Sequence, residues 1–365
     1  YERLGLRSLI NAKGTHTNLS GSLLPREVAD QMRQAARQFV SIPELLEKSG
    51  EHLARLLHCE AALVTSGAAG ALTLGTAACL TGDDEEKARR LPDTLGMKNE
   101  VIIQKTHRFS YDHAIRNVGI RLIEVEDRAE LEARINSRTA LMFFLNYADP
   151  KGRIHHEEWI EIGKKHNVPT FIDCAADVPP VENLTRYTRM GFDLVTFSGG
   201  KALRGPQCSG LLLGRKDLIR ATLVNNYPIS DTISRPCKVG KEEIVGLVAA
   251  VERYLKLDHA AEWRRWERQV DKIEAAAKSV PGIETERHVP EIANHVPHLN
   301  VLWAEQDWNF SGEDCLKALQ DGDPRIEVNP QEGGIVLNTF MLNPGEERAV
   351  ARRLRQVLAE ASQRK

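Results

Sequence analysis

Short apolar runs alternate with helix-period patterns through the first two thirds of the chain. Val101 to Gln104, Arg121 to Val125, Ala140 to Leu145, Pro169 to Ile172, Leu194 to Phe197 and Gly210 to Leu213 read as strands. Segments near 111–118, 128–135, 157–166 and 184–190 carry helical periodicity between most of them. Upstream, a helix runs from Pro25 to about Phe39. A second covers Ile42 to Leu57, with Leu45, Leu46, Leu53, Leu56 and Leu57 at core-facing spacing. Ala61 to Leu74 reads as a short strand, a turn of small residues, and a helix continuing to Cys79. Strand–helix alternation on this scale predicts an α/β domain whose mainly parallel sheet is covered on both faces, with ligands at the carboxyl ends of the strands.

The pattern changes towards the C-terminus. Helices at Glu242 to about Leu255, and through Trp263 and Trp266 to Ala277, lead into short strands at 299–303, 325–328 and 334–338 and helices at about 311–320 and 345–360. That is an α+β unit. The division expected is an N-terminal arm at 1–30, a large domain at 31–255 and a small domain at 256–365, with the last boundary between 240 and 285. The polar, glycine-punctuated arm either packs on a partner subunit or lines a site, unless it is an ordinary ordered terminus.

Composition narrows the function classes. The 365 residues are 42% hydrophobic and 27% charged, and 49 basic against 51 acidic side chains give a formal charge of −2. Nothing marks a nucleic-acid surface, although a local basic patch would escape this sum. The six cysteines are scattered without a C-x-x-C pair and read as reduced thiols, mostly small core residues. The sequence shows neither a signal-peptide pattern nor an 18-residue apolar span, so a cytoplasmic protein without membrane association is expected. The pairs His155-His156 and His295/His298 lack a third ligand at a metal-site spacing and read as loop residues, so no metal is expected.

Candidate chemistry centres on Phe192 to Arg215, where one apolar run ends in Ser198-Gly199-Gly200-Lys201 and another begins beyond Gly205-Pro206. Glycines there let backbone crowd a ligand, and apolar surroundings lower an amine's pKa. Such a lysine serves either as a Schiff-base nucleophile or as an ordinary loop residue, and this stretch alone does not choose. Asp173 ends the apolar run before it, 28 residues upstream of Lys201, where an isolated aspartate is most often a cap or turn former. The S-G-A-A-G turn at 66–70 could present free N–H groups to a phosphate, or merely let a helix pack tightly on a sheet. Together, a carboxylate, a lysine and a phosphate cradle at strand ends are the fixtures pyridoxal 5′-phosphate requires.

On these motifs the chain resembles the fold-type I pyridoxal-phosphate enzymes, which share the aspartate-aminotransferase-like fold. Within them it is similar to the selenocysteine synthase (L-seryl-tRNA selenium transferase) superfamily, nearest its tRNA-independent members of the D-glucosaminate-6-phosphate ammonia-lyase type. The resemblance rests on I-N-A-K-G-T-H-T-N-L at 10–19, T-S-G-A-A-G at 65–70, F-I-D-C-A-A-D at 171–177, S-G-G-K-A-L-R-G-P-Q-C-S-G at 198–210 and R-P-C-K-V-G-K-E-E at 235–243. It implies that Lys201 carries the cofactor as a Schiff base and that Asp173 keeps the pyridine nitrogen protonated. Ser66, Gly67 and Ala68 would hold the phosphate with Ser198 adding a hydroxyl. Ala175 would pack against one ring face and His107, with His113 in reserve, against the other. Arg325, Arg235 or Arg204 would take the substrate carboxylate, with Thr17 and Asn18 of the arm as further substrate contacts. Two departures are visible: Gly200 stands where the selenocysteine synthases often have an acid, and Arg204 where a small residue is common.

The implied reaction on an amino-acid substrate is Cα-proton removal by Lys201 and loss of a β-hydroxyl, giving ammonia and a 2-keto acid. Aldol cleavage, racemisation and transamination are the alternatives on the same cofactor. Selenium transfer to seryl-tRNA is a further alternative, and a non-catalytic scaffold with this fold another. At least a homodimer is expected by analogy with the family.

Overall fold

The computed structural model describes residues 1–363, which divide into two compact units: one spans Leu24 to Lys256, the other Tyr1 to Leu23 together with Leu257 onward. Strands are numbered in chain order. β1 (Leu9–Asn11) belongs to the second unit. The seven-stranded sheet of the first unit contains β2 (Ala61–Thr65), β3 (Glu100–Gln104), β4 (Arg121–Val125), β5 (Thr139–Leu145), β6 (Thr170–Asp173), β7 (Leu194–Ser198) and β8 (Gly210–Gly214). Their order is β2-β8-β7-β6-β5-β3-β4. Only β8 is reversed; it pairs antiparallel with both β2 and β7, and every other pairing is parallel.

Apart from the edge strand β4, where Arg121 and Glu124 are exposed, these strands are apolar on both faces because helices cover both faces, so they read as runs rather than alternations. Phe143, Phe144, Phe171 and Phe197 are fully buried, each worth roughly 1.5–3 kcal/mol of transfer free energy. Helices α1 (Arg26–Ala35), α2 (Ile42–Leu57) and α3 (Gly67–Thr81) precede or follow β2. α3 is buried around nearly its whole circumference, as its sequence of Gly, Ala, Leu and Thr allows. α1 stops at Ala35 rather than continuing to Phe39, which is fully exposed. The helix expected at 111–118 is regular only over His113–Arg116.

In the second unit, β9 (Glu284–His288), β10 (His298–Leu302), β11 (Arg325–Glu327), β12 (Asn329–Gln331) and β13 (Gly334–Asn338) follow the long helix His259–Lys278. A four-stranded antiparallel sheet runs β12-β13-β10-β9. Leu299 and Val301 of β10 and Ile335 and Leu337 of β13 join Val270, Ile273, Leu354 and Leu358 in its core. β1 pairs in parallel with β11, which sets Ile10 beside Ile326 in that same core. The segment after β1 is also fixed there: Asn11 Oδ1 accepts from the N–H groups of Lys13 (3.0 Å) and Gly14 (3.1 Å), and Asn329 and Asn338 donate to the Lys13 carbonyl.

Two further expectations change. His156 opens the helix His156–His166 and is buried, and His298 begins β10, so neither is a loop residue. Of the six free cysteines only Cys174 and Cys315 are buried, while Cys208 is exposed. Among the described residues no helix is long and apolar enough to cross a membrane, and no group of three or more His, Cys, Asp or Glu is arranged to hold a metal ion.

Candidate active site

Because β2, β3, β5, β6 and β7 point the same way, their carboxyl ends share one edge of the sheet, and the reversed β8 starts there. The sequence places Ser66 after β2, Lys201 in the loop from β7 to β8, Asp173 at the end of β6, and His107 just beyond β3. Sheet order therefore sets the strand ends of Asp173 and the lysine loop side by side, with the α3 turn across β8 from them.

The lysine loop is closed by its own backbone. The Gly199 N–H donates to the Ser209 carbonyl (2.8 Å), the Gly205 N–H to the Gly199 carbonyl (2.8 Å), and the Arg204 N–H to the Lys201 carbonyl (2.9 Å). A Cβ on Gly200 would lie 2.6 Å from Gln207 Cα, so the acidic residue common before this lysine in selenocysteine synthases has no room in this loop. Arg204 sits at φ +55°, in the left-handed region that residues other than glycine, asparagine and aspartate seldom adopt.

Asp173 is 6% exposed, and its Oδ1 accepts the Ala175 N–H at 2.8 Å. The Ala175 carbonyl in turn accepts from the Ser198 N–H (3.4 Å), so one short network joins three residues singled out from sequence. Burial raises the Asp173 pKa, against the pull of the Ala175 N–H and the Lys201 charge. Burial likewise lowers the Lys201 pKa, against the attraction of Asp173 and Asp177. Desolvation thus pushes both groups towards neutrality, while each favours the charge of the other. Asp177, last residue of the D-C-A-A-D run, is 2% exposed, and a second acid four residues after Asp173 is the only signal of it in the sequence.

α3 starts without a side-chain cap: Ser66 is its N-cap and makes no capping bond, and Gly67 takes φ +71°. A Cβ on Gly67 would meet nothing within 4 Å, so its Cα faces open space. On its other side the backbone is tight, since a Cβ on Gly210 would come within 2.3 Å of the Gly67 carbonyl carbon. Uncapped N–H groups of a buried fifteen-residue helix favour an anion. A buried acid, a half-buried amine and this anion-seeking turn on one sheet edge fit a phosphorylated pyridine aldehyde.

His107 lies elsewhere in kind. It is fully buried, edge-on to Phe144 at 4.5 Å; its Nδ1 accepts the Leu145 N–H (3.2 Å), and its Nε2 is 3.1 Å from the Gln104 amide nitrogen. Nδ1 is thus taken up as an acceptor, and burial takes the ring's pKa down to about 4. His113 opens the short helix after Asp112 and is exposed. Arg235 is exposed in the segment before helix Lys241–Lys256. In the other unit, Arg325 pairs with Glu327 (2.9 Å), and Thr17 and Asn18 lie exposed on a 3-10 turn.

Comparison with known proteins agrees with this fold. The chain is 29% identical to D-glucosaminate-6-phosphate ammonia lyase of Salmonella typhimurium (strain 14028s / SGSC 2262), over 99% of this chain and 98% of that protein. It is 28% identical to a 5′-C-glycyluridine monooxygenase-decarboxylase of Streptomyces sp, over 99% and 92% respectively. A solved structure of D-glucosaminate-6-phosphate ammonia-lyase superposes with a TM-score of 0.86 at 29% identity, covering 99% of this chain and 98% of that one. Structures only 13 to 17% identical, an aspartate aminotransferase among them, share the fold alone. The family model described as L-seryl-tRNA selenium transferase matches residues 9–281. The chain belongs to the L-seryl-tRNA selenium transferase family.

Proposed function

We propose that this protein is a pyridoxal-phosphate-dependent ammonia-lyase acting on a 2-amino-3-hydroxy acid, of the amino-sugar acid or small hydroxy-amino acid class. The observation that carries the reading is the placement of half-buried Lys201 and buried Asp173 at neighbouring strand ends, on the edge that also holds the uncapped start of α3. Full-length similarity to an ammonia lyase supports the reaction class.

Bound pyridoxal 5′-phosphate supplies an electron-accepting ring that spreads the charge left when a bond to the substrate α-carbon breaks. Lys201 would hold its aldehyde carbon, Asp173 its ring nitrogen, and the N–H groups of Gly67 and Ala68 its phosphate, with the hydroxyls of Ser66 and Ser198. Ala175 offers a small surface for the ring face. Freed of the aldehyde, the Lys201 amine would be a base whose proton affinity burial has lowered. It would take the α-proton onto Nζ and hand it to the departing β-hydroxyl, which leaves as water; a solvent proton at the β-carbon and water added at the α-carbon would then give ammonia and a 2-keto acid. Among the guanidinium groups considered for the substrate carboxylate, Arg204 lies on the lysine loop itself. A homo-oligomer in the cytoplasm completes the proposal.

The test is incubation of cofactor-loaded protein with D- and L-2-amino-3-hydroxy acids, with ammonia and keto acid measured together. Equal yields of both support the lyase. Glycine plus aldehyde would make it an aldolase, and an inverted α-carbon a racemase. The similarity to a monooxygenase-decarboxylase makes carbon dioxide release the second product to measure.

A further inference from the structure

The helix Lys241–Lys256 backs the lysine loop within the same compact unit. Where the two meet, the loop contributes Gly199, Gly205 and Pro206 and the helix contributes Gly246, Leu247 and Ala250, all of them buried. A Cβ on Gly199 would lie 2.7 Å from Leu247 Cδ1, and one on Gly205 would lie 3.4 Å from that same atom and 3.3 Å from Ala250 Cβ. One residue earlier on the helix, a Cβ on Gly246 would lie 2.7 Å from Pro206 Cγ. Glycines on both surfaces therefore let helix and loop approach closely, and the Leu247 methyl fills the notch that remains.

The notch coincides with the closure of the lysine turn. The Gly205 N–H donates to the Gly199 carbonyl (2.8 Å), and inside that ring the Arg204 N–H donates to the Lys201 carbonyl (2.9 Å). Behind it, the Ser209 N–H (3.0 Å) and hydroxyl (2.7 Å) both donate to the Pro206 carbonyl. Leu247 Cδ1 thus sits against both residues of the bond that closes the turn. A lysine stem is flexible, so the fold directs its amine chiefly by fixing the backbone from which it leaves. Leu247 is fully buried and has no polar side-chain atom, so it acts on that backbone by packing alone.

We propose that Leu247 is a positioning residue: its δ-methyl, seated between Gly199 and Gly205, keeps the Lys201–Arg204 turn closed and so holds the lysine backbone where its amine can meet the cofactor aldehyde. The task of the amine rests on the proposed function, but the hold on the turn can be measured without it.

The experiment compares wild type with Leu247→Ala and Leu247→Met in the full chain. In cofactor-free protein, amide hydrogen exchange is followed by mass in a peptide covering 199–209 and, as a reference, in one covering β3. Leu247→Ala is expected to speed exchange in the 199–209 peptide about tenfold more than in the reference. Leu247→Met, which refills the notch, should return it close to wild type. In parallel, pyridoxal 5′-phosphate is titrated into each protein and the absorbance of the lysine-bound cofactor is recorded. Leu247→Ala should bind about tenfold more weakly, with Leu247→Met again near wild type. Unchanged exchange, or equal acceleration of both peptides, overturns the proposal, the latter because it would mark an ordinary core residue. Cofactor binding that Leu247→Ala leaves as tight as in wild type overturns it as well. If Leu247→Ala does not fold, Leu247→Val, which lacks the δ-methyls, is read in its place. A wild-type chain that binds no cofactor overturns the proposed function, and faster exchange at 199–209 in Leu247→Ala then leaves the hold on the turn standing.

Discussion

Lys201, in the loop after β7, and His107, just beyond β3, stand at the same edge of one sheet, and burial lowers the pKa of both. Their surroundings differ. Lys201 faces two carboxylates on the adjoining turn, which pull its pKa back up. His107 is held between the Gln104 amide and the Leu145 N–H, with Phe144 against its ring; Asp149 favours its charge, but His155 and His156 oppose it. Gly152 closes the pocket, since a Cβ there would lie 2.9 Å from His107 Nε2. A half-buried base beside opposing charge can do chemistry; a fully buried one whose Nδ1 accepts a backbone N–H from the next strand ties strands together. Desolvation alone does not tell the two apart.

The largest effect should come from Lys201→Ala. It should abolish the lysine-bound cofactor band and lower turnover about 10²–10⁴-fold, the range for losing a positioned acid–base group. Retained turnover would remove the contrast with His107. The matching test on the other side is of stability. A histidine with its pKa near 4 when folded, against about 6.5 unfolded, binds fewer protons folded than unfolded between those values. Its contribution is therefore complete above about pH 6.5 and is lost as pH falls towards 4, to the extent of about 3 kcal/mol. Urea unfolding across that range should show a steeper acid decline in wild type than in His107→Gln. Parallel pH profiles would mean that His107 is less sealed than its contacts imply.

Legibility in the sequence followed the same divide. The apolar runs of β3 to β8 were readable because strands covered on both faces need no alternation, and residues at their ends then fell on one edge. The placement of Asp173 and the Lys201 loop at neighbouring strand ends was readable for that reason. The seal on His107 was not, because Gln104 reaches it from the preceding strand while Leu145 and Gly152 come from distant segments. β9 escaped notice because Glu284 to His288 contains no apolar residue; it is an edge strand paired only with β10. β1 is too short to carry a period, and its place beside β11 depends on residues more than 300 positions away. The helices Glu85–Arg90 and Lys216–Leu223 were also unread, the first a single charged stretch and the second joined closely to β8.

The smallest predicted effect separates the two meanings of the small residues in α3. Gly75 lies where the helix crosses β6 and β7: a Cβ there would be 2.5 Å from Phe171 Cε1 and 3.2 Å from Leu194 Cδ1. Phe171 is fully buried and set edge-on against Phe143 at 6.0 Å, so its ring has little space to retreat. In an exposed helix, Gly→Ala would stabilise by up to about 1 kcal/mol. Here overpacking costs about 1–3 kcal/mol, so Gly75→Ala should be destabilising by about 1 kcal/mol net. Gly70, one turn into the same helix, would place its Cβ 3.3 Å from Ser66 Cβ and 4.0 Å from Cys237 Cβ, contacts that a small shift relieves. Gly70→Ala should therefore be neutral or slightly stabilising. If urea midpoints show Gly75→Ala as stable as Gly70→Ala, then tight packing on the sheet does not explain the small residues along α3, and the anion-binding turn at its start becomes their main reason.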